Sequence, residues 1–471
     1  KDSAIELGSI VHLFSHDADD GASESREAIE RAQNLGLFSV LSLVQALAAL
    51  EFASPLRLLA VSSHAQTIHG DENCACAKAP LSGLLLSINQ ELPWLRCLHL
   101  DCPGESGRGY AAAVVRELLG PSGDQEIAYR GNQRLVSGLQ RVDIPAQPGV
   151  TRPGLPFRRR GFYILDNGLE GIGPHLAEFL LTKFEARLLL LGKDLPSTDR
   201  QRQGQAAERL ATFDRLQQLA GDCAYASVDI QDPGDLARAL EPWLAPWGST
   251  PDGVIHLAAV PPEGALLAQS QNTLSATFAA EAARVWSLSE FCRKHPNSLF
   301  IILSSATDFA DSGGRCALAA SAAFQHALIS RLQKHSSVRA HGFSLASWHD
   351  LAAPHETTNH EAAPVQAAVS VRRAINSILL GLQLGEGRLL IGLDEASPLI
   401  RARLFDGPLQ CQKTTIFFTA DRTLPRERLC ELPLVDRYGS MARCDYVQMR
   451  EPDSAASEQV ELWPSVAEYF V

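Results

Sequence analysis

The sequence predicts an α/β protein of two tandem, doubly wound, mostly parallel sheets, the first truncated, with a small C-terminal appendage. Three observations predict it. Apolar runs of strand length alternate with amphipathic runs of helical length from about residue 9 to about residue 395. A proline-rich break, with Pro145, Pro148, Pro153 and Pro156, separates two such series. Short strings also recur on either side of it. Val11-His12-Leu13 corresponds to Ile255-His256-Leu257, and Leu58 to Ser63 corresponds to Phe300 to Ser305, with 50 residues from histidine to first serine in one half and 48 in the other. That shared spacing favours duplication of one unit.

The bulk numbers exclude several classes. A chain of 471 residues is long enough for two or three domains. Its net charge of -12, with no basic run longer than Arg158-Arg159-Arg160, argues against nucleic acid or an anionic membrane as partner. No apolar stretch reaches the roughly 20 residues that span a bilayer. The chain opens Lys1-Asp2-Ser3 without a signal peptide and is expected to be part of something longer, in the cytoplasm. Of ten cysteines only Cys74 and Cys76 are close together, so reduced structural thiols are expected and no metal site; a site of Cys74, Cys76, Cys97 and His99 is the weak alternative.

In the first half, Ile10–Phe14 is a buried strand and 27–51 an amphipathic helix. Leu56–Val61 is a second strand, 78–91 a helix, 94–100 a third strand ending at Asp101, and 111–119 a helix. Residues 127–136 read as a hairpin turning at Gly131-Asn132. After the break, strands are expected at 162–165, 187–191, 224–228, 253–257, 299–303, 340–346 and 388–391. Helices are expected at 174–183, 206–220, 236–243, 273–295, from about 317, and at 365–382. The limits that follow are 1–143 for the first unit, 144–160 for the linker, 161–398 for the second unit and 399–471 for the appendage, in which Thr414–Thr419 has strand composition.

A dinucleotide fold needs glycines between its first strand and first helix, where backbone approaches a pyrophosphate. Gly168, Gly171 and Gly173 stand there. Asp166 and Glu170 do not suit it: two carboxylates beside a helix N-terminus would take its positive end and repel phosphate. Lys193, after the second strand, is a candidate for a ribose 2′-phosphate, and Asp229, after the third, for adenine. Solvated loop charges are the alternative for both.

The stretch Ser304–Phe324 is a strand ending in two hydroxyls, a loop and an alanine-rich helix, the layout of a dehydrogenase active site. Ketone reduction there needs a tyrosine as proton donor, a lysine to lower its pKa and a serine to hold the oxygen. Ser305 supplies the serine. No tyrosine occurs between Tyr225 and Tyr438, and no lysine between Lys193 and Lys294. His326 and Cys316 are the remaining conceivable acids, and are read instead as a core or surface histidine and a packed thiol.

By these motifs the chain resembles, over roughly residues 8–395, the ketoreductase region of a modular polyketide synthase, in which a truncated Rossmann-like structural subdomain precedes a catalytic short-chain-dehydrogenase subdomain. Ala79-Pro-Leu-Ser-Gly83, Asn89-Gln-Glu-Leu-Pro93, Ala128-Tyr-Arg-Gly131, Gly253-Val-Ile-His256 and Ser304-Ser305 carry the resemblance. It implies that the catalytic lysine falls on Glu281, the tyrosine on Leu318 and the nearby asparagine on Ala322, with only Ser305 retained. The Thr-Gly opening the nucleotide loop falls on Asp166-Asn167, and the Leu-Asp-Asp fingerprint on Pro261-Pro262-Glu263. The first strand–helix unit of the structural subdomain is expected upstream of Lys1.

The expectation is therefore a reductase-inactive pseudo-ketoreductase with a structural role. It is expected to hold no cofactor, or NADPH if any binding remains, and to have other domains of the same synthase and an acyl carrier protein as partners. The alternative is a cofactor- or acyl-binding domain with residual NADPH-dependent reductase or epimerase activity. Filling of the cleft near Gly171 by Glu170, Asp166 and Leu257 would favour the first.

Overall fold

The computed structural model describes residues 7–401 with breaks, the longest at 142–153, 193–204 and 346–369, and beyond them residues 414–418 and 441–448. In the first half, strands β1 (Ser9–Ser15), β2 (Leu56–Ser63), β3 (Leu95–Cys102), β4 (Glu126–Arg130) and β5 (Gln133–Arg141) lie side by side in chain order. The first four are parallel, and β4–β5 is the expected hairpin, with Gly131 in the left-handed region its turn requires. Helices α1 (Arg26–Gln33), α2 (Ser39–Ala48), α3 (Pro80–Glu91) and α4 (Arg108–Leu119) connect them. The expected single helix over 27–51 is two α-segments joined by a π-helical turn at Asn34–Phe38.

The second half places β6 (Phe162–Asp166), β7 (Arg187–Gly192), β8 (Asp222–Ser227), β9 (Gly253–Leu257), β10 (Leu299–Ser305), β11 (Arg339–Leu345) and β12 (Arg388–Leu393) in the order 12-11-10-9-6-7-8, all parallel. The order reverses between β9 and β6, which leaves a crevice at their C-terminal ends. Helices α5 (Gly173–Phe184), α6 (Gln205–Leu216), α7 (Pro233–Trp247), α8 (Gln271–Arg293), α9 (Cys316–His335), α10 (Val371–Leu384) and the short α11 (Pro398–Arg401) complete this half. Asp232 starts α7 with a reciprocal capping box, and Ser270 caps α8.

The duplication is visible in the register. His12 pairs with Ala60, two residues before Ser62; His256 pairs with Ile302, two residues before Ser304. The related helices α3 and α9 pack on each other across the two halves. A Cβ on Gly83 would overlap the Ala319 carbonyl, so the helices touch backbone to backbone. The alanines of α9, with Ala317, Ala319, Ala320 and Ala322 buried, serve this close approach. One hydrophobic core runs through both halves as a result.

Residues beyond 401 do more than append. Strand β14 (Met441–Gln448) runs antiparallel to β5 from Ala442 opposite Arg141 to Gln448 opposite Leu135, and β13 (Thr414–Phe418) pairs with β14 and β12. The two sheets expected, of five and seven strands, are thus both present, and β13 and β14 bridge them into one run of 14 strands. Each would otherwise end in an unpaired edge at β5 and β12, and these two strands satisfy both edges.

The first half holds its own ion pairs, each with a buried cation. Arg130 bonds Asp101 at 2.8 Å and Glu72 at 2.9 Å, and Lys78 reaches Ser63 and Asp17 at 2.7 and 2.5 Å. His99 bonds Ser62, and among the described residues no three His, Cys, Asp or Glu side chains gather as metal ligands would. No described helix is long and apolar enough to cross a membrane.

Candidate functional site

A cavity of about 530 Å³ lies at the crevice. Asn167, Gly192, Ser227, Asp229 and Ala259 line it from the strand ends, Thr277, Glu281 and Arg284 from α8, and Ser321 from α9. This is where open parallel sheets bind ligands. Glu170, Asp166 and Leu257, whose filling of the cleft near Gly171 would have favoured the inactive reading, do not line this cavity. Leu257 packs into the core, Asp166 is fully buried beneath the cavity, and Glu170 points out to Arg209.

Gly168, Gly171 and Gly173 form the turn between β6 and α5, and the turn's own geometry uses all three. Gly171 has φ of +51°; a Cβ on Gly173 would lie 2.5 Å from the Gly168 carbonyl oxygen, and one on Gly168 would crowd Leu165 and Leu190. Asn167, itself at positive φ, donates its amide to the Leu257 carbonyl and ties the turn to β9. The two carboxylates do not sit on the positive end of α5 as expected. Parallel register sets Asp166 beside His256, both on one face of the sheet, so its carboxylate turns toward the imidazole.

Four charged side chains meet there. His256 Nδ1 lies 2.8 Å from Asp166 Oδ2, and His256 Nε2 lies 2.9 Å from Glu281 Oε1. Arg284, one helical turn after Glu281, bonds both oxygens of Asp166 at 2.8 and 2.6 Å. Gln325 of α9 donates to Glu281 at 3.0 Å. An ionised carboxylate only accepts, so both contacts are satisfied together only when both ring nitrogens of His256 carry a proton. Burial alone would push the pKa of His256 down, but the Glu281 charge and the bonds to Asp166 and Glu281 outweigh it and hold it at about 9. Burial likewise works against the Asp166 carboxylate, yet His256 and Arg284 keep its pKa below the usual range.

The reaction-centre positions fall as follows. Ser305 ends β10, half-buried. Its neighbour Ser304 faces the core, with Ser344 and His326, which is a core histidine, the first of the two alternatives read from the sequence. Leu318 is 3 % exposed in the first turn of α9, and Ala322, one turn on, is fully buried. Glu281 faces the cavity with its side chain 10 % exposed, bound to His256. Asp229 lies exposed at the rim, 4.0 Å from Arg284. Lys193 and Pro261-Pro262-Glu263 lie outside the described residues.

Sequence reasoning missed His256, Arg284 and Gln325 as members of the site. The signal was present: an aspartate ending a buried strand, a histidine inside another, and a Glu–Arg pair three apart on a helix otherwise poor in charge.

These residues do not fit a dinucleotide phosphate. Among the described residues lining the cavity, Arg284 is the only cation, and it is committed to Asp166; Glu281 and Asp229 add negative charge.

Residues 161–350 match the KR domain family model. Over 311 residues the chain is 27 % identical to the polyketide synthase ThaG of Burkholderia thailandensis, an alignment covering 66 % of this chain and 5 % of that protein. Over 313 residues it is 24 % identical to the polyketide synthase PksN of Bacillus subtilis, covering 65 % and 5 %. The chain thus matches only a small part of these relatives' length. Among solved structures, a multidomain adenylation, ketoreductase and pseudo-Asub structure of a keto acid-selecting NRPS module superposes with a TM-score of 0.75 at 23 % identity, over 86 % of this chain and 34 % of that one. A ketoreductase domain from the bacillaene assembly line superposes with a TM-score of 0.63 at 16 % identity, over 82 % and 93 %. Residues 161–350 thus match the KR domain family, and the two-part fold around them is like that of ketoreductase domains from polyketide assembly lines.

Proposed function

We propose that this ketoreductase domain does not reduce β-ketoacyl groups and has a structural role within a polyketide assembly line. One observation carries the reading. The place that the resemblance gives to the catalytic lysine holds Glu281, and Glu281 is tied to His256 in a buried ion pair. A cation there would help a tyrosine lose its proton; a carboxylate would raise that pKa instead. Leu318, in the tyrosine's place, has no proton to give, and Ala322 replaces the asparagine. Ser305 alone retains its chemistry. The negative charge of the cleft also disfavours NADPH.

In this reading residues 1–143 and 161–398 are the structural and degenerate catalytic subdomains, joined by 144–160. The partners are neighbouring domains of the same synthase and an acyl carrier protein, in the cytoplasm, where the free thiols stay reduced. Incubation of the chain with NADPH and a β-ketoacyl thioester mimic tests it. No oxidation of NADPH above a no-enzyme control is expected, and clear turnover would overturn the reading.

The open cavity favours a second reading, a domain that still holds an acyl chain or cofactor without reducing it, with epimerisation as its residual chemistry. Titration calorimetry with NADPH and with the thioester mimic, plus deuterium exchange at the α-carbon, separates the two. Binding or exchange without NADPH oxidation would favour the second.

A further inference from the structure

We propose that Asp166, His256, Glu281 and Arg284 form an ionic lock, closed while His256 carries a proton, that ties α8 to the ends of β6 and β9 and fixes the shape of the cleft without a nucleotide.

The argument begins with charge. Two carboxylates and two cations sit in a chain, Arg284–Asp166–His256–Glu281, with Asp166 and His256 fully buried. The set is neutral only when His256 is protonated. Without that proton, one ring nitrogen presents a lone pair to a carboxylate at 2.8 or 2.9 Å, and a buried negative charge loses its balance. The members come from three elements, Asp166 from β6, His256 from β9, and Glu281 with Arg284 from α8. Gln325 adds α9 without adding charge, and Asp229, beyond β8, meets the outer side of Arg284 at 4.0 Å.

Geometry decides what the lock holds. Glu281 and Arg284 line the cavity and are also the side chains that anchor α8 to the sheet. The wall of the cleft is therefore braced from within. Loss of the His256 proton takes one of the two ring donors from the set; where that donor is the one to Glu281, Gln325 alone still holds Glu281, and the cavity-facing side of α8 loosens while Arg284 remains on Asp166.

The first half provides an internal comparison. His12, equivalent to His256 by register, bonds the Ser39 hydroxyl at 2.8 Å, and that bond needs no charge. The lock is thus an addition of the second half. It does not depend on whether the domain reduces a substrate.

Histidine ring ¹H–¹⁵N spectra of the whole chain from pH 6 to 10.5 test it, together with hydrogen–deuterium exchange of peptides from β6, β9 and α8, corrected for intrinsic rates. One histidine is expected to be imidazolium at pH 7 and to lose its proton near pH 9, with protection in α8 falling at least tenfold through the same transition. In Glu281→Gln, which retains an acceptor for the ring but removes the charge, that titration should move down by a pH unit or more. A neutral ring for every histidine at pH 7, or exchange in α8 that is unchanged across the titration, would overturn the lock. If Glu281→Gln does not fold, the wild-type spectra and exchange decide by themselves.

Discussion

His12 and His256 hold equivalent places in the two halves, yet their surroundings drive their protonation in opposite directions. Burial lowers the pKa of His12, with its own backbone opposing weakly. At His256 two carboxylates reverse the sign. The same strand position thus carries a neutral ring beside a serine in one half and a cation between two acids in the other.

Stability should accordingly fall on both sides of neutrality, for different reasons. His12 has a folded pKa below its unfolded value of 6.5, so its contribution is complete above pH 6.5 and declines as pH falls below that. His256 has a folded pKa above 6.5, so its contribution is complete below 6.5 and is lost as pH rises through about 9. Urea unfolding at pH 5, 7 and 10 checks both limbs. His12→Asn should flatten the acid contribution, lower stability at pH 7 by about 1 kcal/mol and leave the alkaline limb in place.

Restoring the reductase groups one at a time should fail. Glu281→Lys sets a third cation beside His256 and Arg284, with Asp166 as the only buried acid left among them and Asp229 only at the exposed rim, and should cost about 3–5 kcal/mol. Leu318→Tyr alone adds a phenol with no lysine beside it. NADPH oxidation with a β-ketoacyl thioester mimic should remain at background for both variants, and thermal unfolding should show the loss in the first.

The contact between halves should be sensitive to a single methyl group. Gly83→Ala drives a Cβ into the Ala319 carbonyl, and that neighbour is backbone, which cannot rotate away. A loss of about 1–3 kcal/mol is expected from forced separation of α3 and α9. Thermal denaturation measures it, and a glycine-to-alanine change at exposed Gly123, where open space surrounds the Cβ, is the control.

Glu91 is expected to hold a loop of the opposite half. Its carboxylate accepts the Leu266 N–H at 2.7 Å and the Gly314 N–H at 2.9 Å. Glu91→Ala removes two charge-assisted bonds, about 1.5–3 kcal/mol each at most. Faster amide exchange at Leu266 and Gly314, with β1–β3 unchanged, is the expected result.

By itself the sequence determined the α/β alternation, the duplication and the hairpin. Those features are local or periodic: strand and helix lengths, turn glycines and repeated strings sit in neighbouring residues. The tertiary structure decided the rest. Asp166 and His256 are 90 residues apart in the chain, and parallel register alone makes them neighbours. That contact turned the expected phosphate-repelling carboxylate into the counter-ion of a histidine. Likewise, the alanines of α9 gained their reason only from Gly83, and residues beyond 401 became bridging strands only because β5 and β12 leave edges to fill. Charge and packing act through space, and only the folded chain fixes which distant residues share it.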